Sequence, residues 1–270
     1  MTRIALFQMT TGIDPAANAR ALVGAVDAAA AGGAAMLFTP EMSGLLDRNR
    51  ARGERHVVPE ADNPVLAAVR EAAARAGLWV HLGSLAVLRE DGRWANRAFV
   101  IDATGNIVAR YDKIHMFDVD LATGESWRES NAYAPGETVV TAATPIGQLG
   151  LAICYDLRFP ALFEALGRQQ CDAIAIPAAF TVPTGAAHWH VMQRARAIEA
   201  SAFVIAAAQV GNHEDGRATY GHSLVVDPWG DVLLDMGGSA SGVGFAELDP
   251  ARIADVRAQL PSLVNKRTIP

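Results

Sequence analysis

The sequence predicts a layered α/β sandwich built on a mixed β-sheet. Three observations support this prediction: the chain has 270 residues, 51% of them are hydrophobic, and helical and strand-like segments alternate before strand pairs follow. This composition excludes disorder and a disulfide scaffold. No linker rich in glycine, serine or proline divides the chain, and no internal repeat is visible. We therefore expect a single domain, 1–270.

Two β-α-β units are predicted in the first hundred residues, and a β-hairpin follows them. In each unit a proline follows a residue that can cap a helix, and a glycine marks the helix end. Gly105-Asn106 supplies the positive-φ turn of the hairpin. The predicted elements are a strand at 1–9, a helix at 14–32, a strand at 34–39, a helix at 62–77, and strands at 78–82, 97–102 and 107–111.

The second half begins with residues 116–135, which show little periodicity and are predicted to form a long loop. Long loops in compact domains are often functional. Beyond this loop, helical and apolar segments alternate again, and the last third is rich in strands. The predicted elements are a strand at 147–153, a helix at 160–169, a strand at 173–176, a helix at 188–200, strands at 202–208, 223–227, 232–235 and 242–247, and a helix opened by Asp249-Pro250.

Charge and composition exclude several kinds of partner. The net charge is −6 and no basic run occurs, so nucleic-acid binding is not expected. The first residues lack the apolar core of a signal peptide, and the longest apolar stretch, 21–38, is interrupted by Asp27 and a Gly-Gly pair, so neither export nor a membrane span is predicted. Two cysteines, Cys154 and Cys171, do not indicate a disulfide framework. We expect a cytoplasmic protein with a small-molecule substrate.

Several enzyme signatures are missing from the sequence. There is no G-x-S-x-G elbow, no Walker A motif, no H-E-x-x-H, and no G-x-G-x-x-G opening a helix after a strand. His188 and His190 are two residues apart and point to different faces of a helix, and Cys171 has no second cysteine nearby. No metal site is therefore expected.

Three predicted strand ends carry chemically distinct side chains: Glu41, Lys113 and Cys154. A carboxylate can take a proton from a thiol, the thiolate can attack a carbonyl, and an ammonium can stabilise the oxyanion and lower the thiol pKa. Singly, each has a plain alternative as a surface charge or a small buried residue. Only two of the 23 basic residues are lysines, which favours a site that needs a compact ammonium. Together the three side chains indicate acyl transfer.

These segments resemble the nitrilase, or carbon–nitrogen hydrolase, superfamily. CYDLRFP, residues 154–160, is similar to its Nit branch, and GAAHWHVMQRARAIE (185–199) and YGHSLVVDPWG (220–230) extend the likeness over nearly the whole chain. The resemblance implies a four-layer α-β-β-α sandwich, amide hydrolysis without a cofactor, and at least a homodimer. It also implies that the C-terminal tail, about 258–270, packs at the subunit interface.

The resemblance assigns a role to each polar residue. Glu41 would be the general base, Cys154 the nucleophile, and Lys113 with the backbone N–H of Tyr155 the oxyanion donors. Glu129, in the unpatterned segment, corresponds to a second glutamate that orients the lysine. Cys154 would attack the amide carbonyl, ammonia would leave with a proton relayed by Glu41, and water would hydrolyse the thioester.

The substrate is indicated by fewer residues. Arg158 could pair bidentately with a substrate carboxylate, although a structural ion pair with Asp156 is the alternative. By resemblance, Phe180 and Thr184 would line the pocket beside it. Members of this branch act on ω-amides of dicarboxylic or α-keto acids, and residues 206–223 look closer to the subgroup that hydrolyses deaminated glutathione than to the α-ketoglutaramate subgroup.

Two other functions remain open at this point. The same Glu-Lys-Cys set could hydrolyse N-carbamoyl compounds or nitriles. A homologue that keeps the sandwich could instead be a catalytically idle binding or scaffolding protein.

Overall fold

The structure, a computed structural model, describes residues 1–122, 124 and 126–267, and it contains two six-stranded mixed sheets stacked face to face. Alternation along the first strand shows the layering. Ile4 and Leu6 join the core shared with the second sheet, whereas Ala5 and Phe7 pack with the helices on the outer side. Helices on the outer face of the second sheet complete an α-β-β-α sandwich, so the predicted fold class is confirmed.

The helices and strands have the following bounds. The helices are α1 (Pro15–Ala31), α2 (Arg50–Gly53), α3 (Pro64–Ala76), α4 (Pro160–Arg168), α5 (Val182–Ala200), α6 (Pro250–Gln259) and α7 (Ser262–Asn265). The strands are β1 (Thr2–Gln8), β2 (Met36–Phe38), β3 (Trp79–Leu88), β4 (Trp94–Ile101), β5 (Ile107–Asp112), β6 (Asp118–Asp120), β7 (Ser126–Arg128), β8 (Thr141–Thr144), β9 (Gly147–Leu151), β10 (Ala173–Ala175), β11 (Phe203–Ala206), β12 (Val210–Asn212), β13 (Ala218–Tyr220), β14 (Leu224–Val226), β15 (Val232–Asp235) and β16 (Gly242–Leu248).

The two sheets share one pattern of strand pairing. Their orders are β16-β1-β2-β3-β4-β5 and β8-β9-β10-β11-β14-β15. In each, three parallel strands have one antiparallel neighbour on one side and two on the other. Helices α1 and α3 connect the parallel strands of the first sheet, and α4 and α5 those of the second. The structure therefore contains a topological repeat that the sequence does not display.

Several helices begin and end where the sequence predicts. The side chain of Asp14 accepts a hydrogen bond from the backbone of Ala16, and that of Asn63 caps the first turn of α3. Gly77 ends α3 with φ +62°, in the left-handed region that glycine adopts without steric cost. These caps place α1 and α3 across the first sheet, where they bury its outer face.

Two sequence predictions were wrong in detail. Residues 116–135 contain the β6-β7 pair and a 3₁₀ turn at Glu129–Asn131, because three-residue strands are too short to show alternation. Helix α5 begins at Val182, six residues before the predicted start. Pro183 lies in its first turn, where proline is tolerated, and Gly185 leaves room for the ring of Tyr220.

In the described ranges, no helix has the length and apolar character needed to cross a bilayer.

Candidate active site

One pocket, with a volume of about 550 Å³, is lined by all eight residues that the sequence singled out. They are Glu41, Lys113, Glu129, Cys154, Tyr155, Arg158, Phe180 and Thr184. Glu41 follows β2 and Lys113 follows β5, both in the first sheet, whereas Cys154 follows β9 in the second. The pocket therefore lies across the junction of the two sheets.

Lys113 is buried between two carboxylates. Its Nζ lies 3.0 Å from Glu41 Oε1 and 2.9 Å from Glu129 Oε2, and only 2% of its surface is exposed. Burial alone would lower the pKa of Lys113, but the charges of Glu129 and Glu41 together raise that pKa well above its ordinary value. The side chain therefore stays an ammonium at neutral pH.

Glu41 is fixed from both sides of the sandwich. Its Oε2 accepts a hydrogen bond from the backbone N–H of Ala179 at 2.9 Å, and its carbonyl oxygen accepts one from Gln209 Nε2 at 2.9 Å. The next residue, Met42, has φ +57°, so the chain turns sharply there. Oε2 of Glu41 thus contacts the loop that follows β10 in the second sheet, and Oε1 contacts Lys113.

Asn96, which the sequence analysis missed, ties the two glutamates together. Its Nδ2 donates to Glu41 Oε1 at 2.9 Å and to Glu129 Oε1 at 3.1 Å. The side chain is buried, and its Oδ1 has no hydrogen-bond partner among the described residues. Since a carbonyl oxygen would be repelled by two carboxylates, the amide must present its NH₂ group to them. The only signal in the sequence is a lone amide within the largely apolar strand β4.

Cys154 opens a 3₁₀ turn with φ +47°, a backbone conformation that non-glycine residues seldom adopt. Its backbone N–H donates to the carbonyl oxygen of Pro177 at 2.9 Å. Burial and the charge of Glu41 raise the pKa of the Cys154 thiol well above its ordinary value, although Lys113 acts in the opposite direction. The ammonium does lower this pKa, as the sequence predicts, but burial and the charge of Glu41 outweigh it, so the resting group is a thiol.

The turn that carries Cys154 is held by the fully buried Asp156. Its Oδ2 accepts a hydrogen bond from Tyr111 Oη at 2.7 Å, and its Oδ1 accepts one from the backbone N–H of His115 at 3.0 Å. The backbone N–H of Tyr155, by contrast, has no acceptor within the described part of the chain. This N–H is available to a ligand oxygen beside the thiol.

Arg158 does not pair with Asp156, so the structural alternative for this residue is wrong. Its guanidinium lies 5.5 Å from the ring centre of Phe180 and 5.9 Å from that of Tyr155, and its Nη1 is 3.2 Å from His188 Nδ1. No carboxylate of the described residues lies within ion-pair distance of it. The pocket therefore contains a cation that can receive an anionic group.

The pocket is basic although the whole chain is acidic. Thr184 lies on its wall, with its hydroxyl 2.7 Å from that of Thr181. Three carboxylates from the described part of the chain line the pocket, and two of them already bind Lys113. Among the described residues the charged lining comprises six basic side chains, Arg48, Arg50, Lys113, Arg128, Arg158 and Arg217, and three acidic ones, Glu41, Asp47 and Glu129. Such a lining favours an anionic ligand.

Comparison with known proteins identifies the family. The sequence model of the carbon-nitrogen hydrolase family matches residues 3–258. The chain belongs to this family. The resemblance noted in the sequence is thus confirmed, and this carbon–nitrogen hydrolase is an enzyme that breaks carbon–nitrogen bonds with water.

Individual relatives agree with this assignment. The chain is 40% identical over 240 residues to a deaminated glutathione amidase of Yersinia enterocolitica, which is 88% of this chain and 83% of that protein. The NitFhit protein of C. elegans superposes with a TM-score of 0.90 at 34% identity, covering 98% of this chain and 65% of that one. A glutamate-to-glutamine mutant of the amidase from Nesterenkonia sp. AN1, solved after acrylamide had added to its active-site cysteine, gives a TM-score of 0.81 at 26% identity. The match covers 97% of this chain and 98% of that one.

Proposed function

We propose that this carbon–nitrogen hydrolase cleaves a linear amide that carries a carboxylate, of the class of ω-amides of α-keto or dicarboxylic acids. The observation that carries the proposal is the position of Cys154, Glu41 and Lys113 in one basic pocket beside the unpaired Arg158. Relatives named deaminated glutathione amidase and a structural neighbour named amidase support amide hydrolysis.

In the first half-reaction, Glu41 takes the proton of Cys154 while sulfur attacks the amide carbonyl carbon. Because the pKa of the thiol is raised, this transfer accompanies attack instead of preceding it. The oxygen that becomes negative is received by Lys113 Nζ and the N–H of Tyr155. The carbon–nitrogen bond then breaks, the nitrogen leaves with the proton from Glu41, and a thioester remains on Cys154.

In the second half-reaction, Glu41 takes a proton from water, which attacks the thioester carbon. The carbon–sulfur bond breaks, Cys154 recovers its proton and the carboxylate product leaves. Glu129 and Asn96 do not exchange protons in this scheme. They hold Lys113 and Glu41 at the distances that both half-reactions need.

The leaving group depends on the kind of amide. A primary ω-amide releases ammonia, the product predicted from the sequence. Deaminated glutathione contains only substituted amides, because glutathione is a tripeptide, so its hydrolysis releases an amine. The names of the relatives favour a substituted amide such as deaminated glutathione as the substrate. The pocket, at about 550 Å³, has the size of typical small-molecule sites.

In the proposed binding mode, Arg158 pairs with the substrate carboxylate. Its guanidinium faces the pocket and is held over the ring of Phe180, which leaves its N–H groups for a ligand. Phe180 and Thr184 contribute the wall against which the carbon chain of the substrate lies. A guanidinium suits this role because its donors match the two oxygens of a carboxylate.

A product assay tests the reaction class. We expect turnover with α-ketoglutaramate and deaminated glutathione, measured as ammonia or amine released, and none with an N-carbamoyl acid, measured as carbon dioxide, or with a simple nitrile. Cys154→Ala should lose turnover while keeping its circular dichroism spectrum, and the matched control Cys171→Ala should stay active. Full activity in Cys154→Ala would disprove the mechanism. A folded parent that hydrolyses neither amide would overturn the proposed substrate class.

We further propose that residues 1–270 act as one domain and assemble at least as a homodimer through α5. Val191 is 62% exposed and Ile198 is 42% exposed, and both point out from this helix. The tail lies alongside: Lys266 Nζ is 2.7 Å from Glu164 Oε2 on α4. Residues 268–270 of the predicted interface tail lie outside the described residues. Val191→Glu should produce monomers in sedimentation, whereas Val108→Glu, a change of another exposed valine (46% exposed) on β5, should not.

A cytoplasmic location is part of the same proposal. Cys154 and Cys171 are both free thiols, and the mechanism requires Cys154 to stay reduced. Fractionation of the native cell, with detection by antibody, tests this location.

A further inference from the structure

A cluster of two imidazoles and a carboxylate lies outside the pocket. His190 belongs to α5, His222 precedes β14, and Asp235 ends β15. His190 Nε2 is 2.9 Å from Asp235 Oδ2, and His222 Nδ1 is 2.9 Å from Asp235 Oδ1. One ligand atom from each of the three residues lies within 4.8 Å of the others. None of the three lines the catalytic pocket.

We propose that His190, His222 and Asp235 form a binding site for a divalent transition-metal ion of the Zn²⁺ type. Imidazole nitrogen is a preferred ligand of zinc, and carboxylate oxygen completes many of its sites. Three protein ligands leave at least one coordination position to water. Spacing along the sequence does not reveal this site, because its ligands come from three separate segments and His188 is not one of them.

The ligands are held in place by the surrounding fold. His222 has φ +56°, and its ring stacks on that of Tyr220 with a centroid distance of 4.4 Å and an angle of 23° between the ring planes. The carbonyl oxygen of His222 accepts a hydrogen bond from Trp189 Nε1 at 2.8 Å. The backbone N–H of Gly237 donates to Asp235 Oδ1 at 2.9 Å. Supporting contacts of this kind orient metal ligands before the ion arrives.

The charge of the cluster also suits a cation. The cluster places one carboxylate, an anionic ligand, between two imidazoles: Asp235 Oδ2 faces His190 Nε2 and Asp235 Oδ1 faces His222 Nδ1. The side chains of His190, His222 and Asp235 are 35%, 24% and 32% exposed, so an ion can reach them from solvent.

The proposed metal site is separate from the catalytic pocket and from the proposed dimer face on α5. Successive residues of an α-helix are about 100° apart, so His190 points away from the neighbouring Val191 of the proposed dimer face. A bound ion would join α5 to the β14-β15 hairpin. Because the ion binds the folded state, it should also raise the melting temperature.

Zinc titration of the folded protein tests the proposal. The parent is the Cys154→Ala variant, freed of metal by chelator, because this substitution removes the pocket thiol as a competing ligand. Calorimetry with Zn²⁺ should show one ion per chain. His190→Gln, His222→Gln and Asp235→Asn should each weaken binding by about tenfold or more. His56→Gln, a change of another half-buried histidine outside the cluster, should leave the affinity unchanged.

The outcomes separate clearly. Absence of a saturable site in the parent, or parental affinity in His190→Gln, overturns the proposal. Melting curves distinguish the loss of a zinc ligand from the loss of the fold. Zn²⁺ should raise the melting temperature of the parent but not that of a folded His190→Gln. If His222→Gln fails to fold, His190→Gln and Asp235→Asn decide the matter, since both side chains are partly exposed.

Discussion

The side-chain amide of Asn96 donates a hydrogen bond to Glu41 Oε1 over 2.9 Å, and the same Nδ2 reaches Glu129. One ammonium, that of Lys113, cannot neutralise two buried carboxylates. Asn96 supplies a donor to both carboxylates, in addition to the backbone N–H groups of Ala179 and Phe117, without adding a titratable group. This relationship makes Asn96 a positioning residue for the proposed base.

Replacing Asn96 by aspartate puts a third carboxylate where the two glutamates need donors. For Asn96→Asp we expect kcat to fall by about 10²-fold with a smaller change in KM. The acidic limb of the kcat/KM profile should move to higher pH, because the new charge disfavours negative charge on its neighbours. Asn131→Asp adds the same charge elsewhere on the pocket lining and serves as the control. An unchanged pH profile in Asn96→Asp would show that the residue has no positioning role.

The raised pKa of Cys154 predicts that the free enzyme contains a thiol at neutral pH. The difference in absorbance at 240 nm between the parent and Cys154→Ala, which reports thiolate, should be absent at pH 7.5 and should develop only at strongly alkaline pH. A thiolate step near neutral pH would contradict the assignment of burial as the dominant effect.

Glu41→Gln should change hydrolysis and alkylation in opposite directions. Amide turnover should fall by about 10³-fold, because the proton carrier is lost. Reaction of Cys154 with iodoacetamide at pH 7.5 should become faster, since removal of the Glu41 charge lowers the pKa of the thiol while Lys113 remains. The exposed Glu137→Gln is the control for both assays. Slower alkylation in Glu41→Gln would mean that Glu41 activates the resting thiol by a different route.

Arg158→Met should affect substrates according to their charge. Loss of a charge-assisted pair should raise KM about 10- to 100-fold for a carboxylate-bearing amide. An uncharged amide of the same length should change far less, because it has no group that the guanidinium binds. Arg168→Met, which removes a cation from α4 that pairs with Glu164, is the matched control. Equal effects on both substrates would assign Arg158 a structural role.

His81 should make the fold sensitive to acid. Burial lowers the pKa of this side chain to about 3, whereas an unfolded histidine titrates near its ordinary value of 6.5. Between these values the unfolded state binds more protons, so stability falls as the pH drops below 6.5, by about 1.4 kcal/mol for each pH unit. Urea denaturation at pH 7.5 and 5.5 should show a smaller loss in His81→Leu than in the parent. His56→Leu should lose as much unfolding free energy between pH 7.5 and 5.5 as the parent does. A loss in His81→Leu identical to that of the parent would show that His81 does not cause the acid sensitivity.

Much of the fold follows from local signals in the sequence. The cap at Asn63 and the glycine at Gly77 delimit α3 because each satisfies a specific backbone requirement at a helix end. The stacking of two sheets has no such local signal, since it depends on contacts between residues far apart in the chain. The pairs β6-β7 and β12-β13 escaped prediction because three residues do not establish a period.

The site was predictable where a residue type is unusual for its position. Lys113 is one of two lysines, and Cys154 one of two cysteines, and each ends a strand-like segment. Asn96 gives only a weak signal, a lone amide within the largely apolar strand β4, because such an amide is ordinary until the fold shows what it faces. His222 and Asp235 were likewise indistinguishable from surface residues, since only the folded chain brings His190 of α5 next to them.

The position of the pocket at the junction of the two sheets has a mechanical consequence. One half of the molecule carries the proton carrier and the ammonium, and the other carries the sulfur atom. A small slide of one half past the other would change the spacing of the reacting atoms without breaking any pairing within either sheet, and a misplacement of 1 Å can cost about 10²-fold in rate. The apolar side chains between the two sheets therefore set the distances between the reacting atoms. Catalysis requires these side chains to pack more exactly than folding alone does.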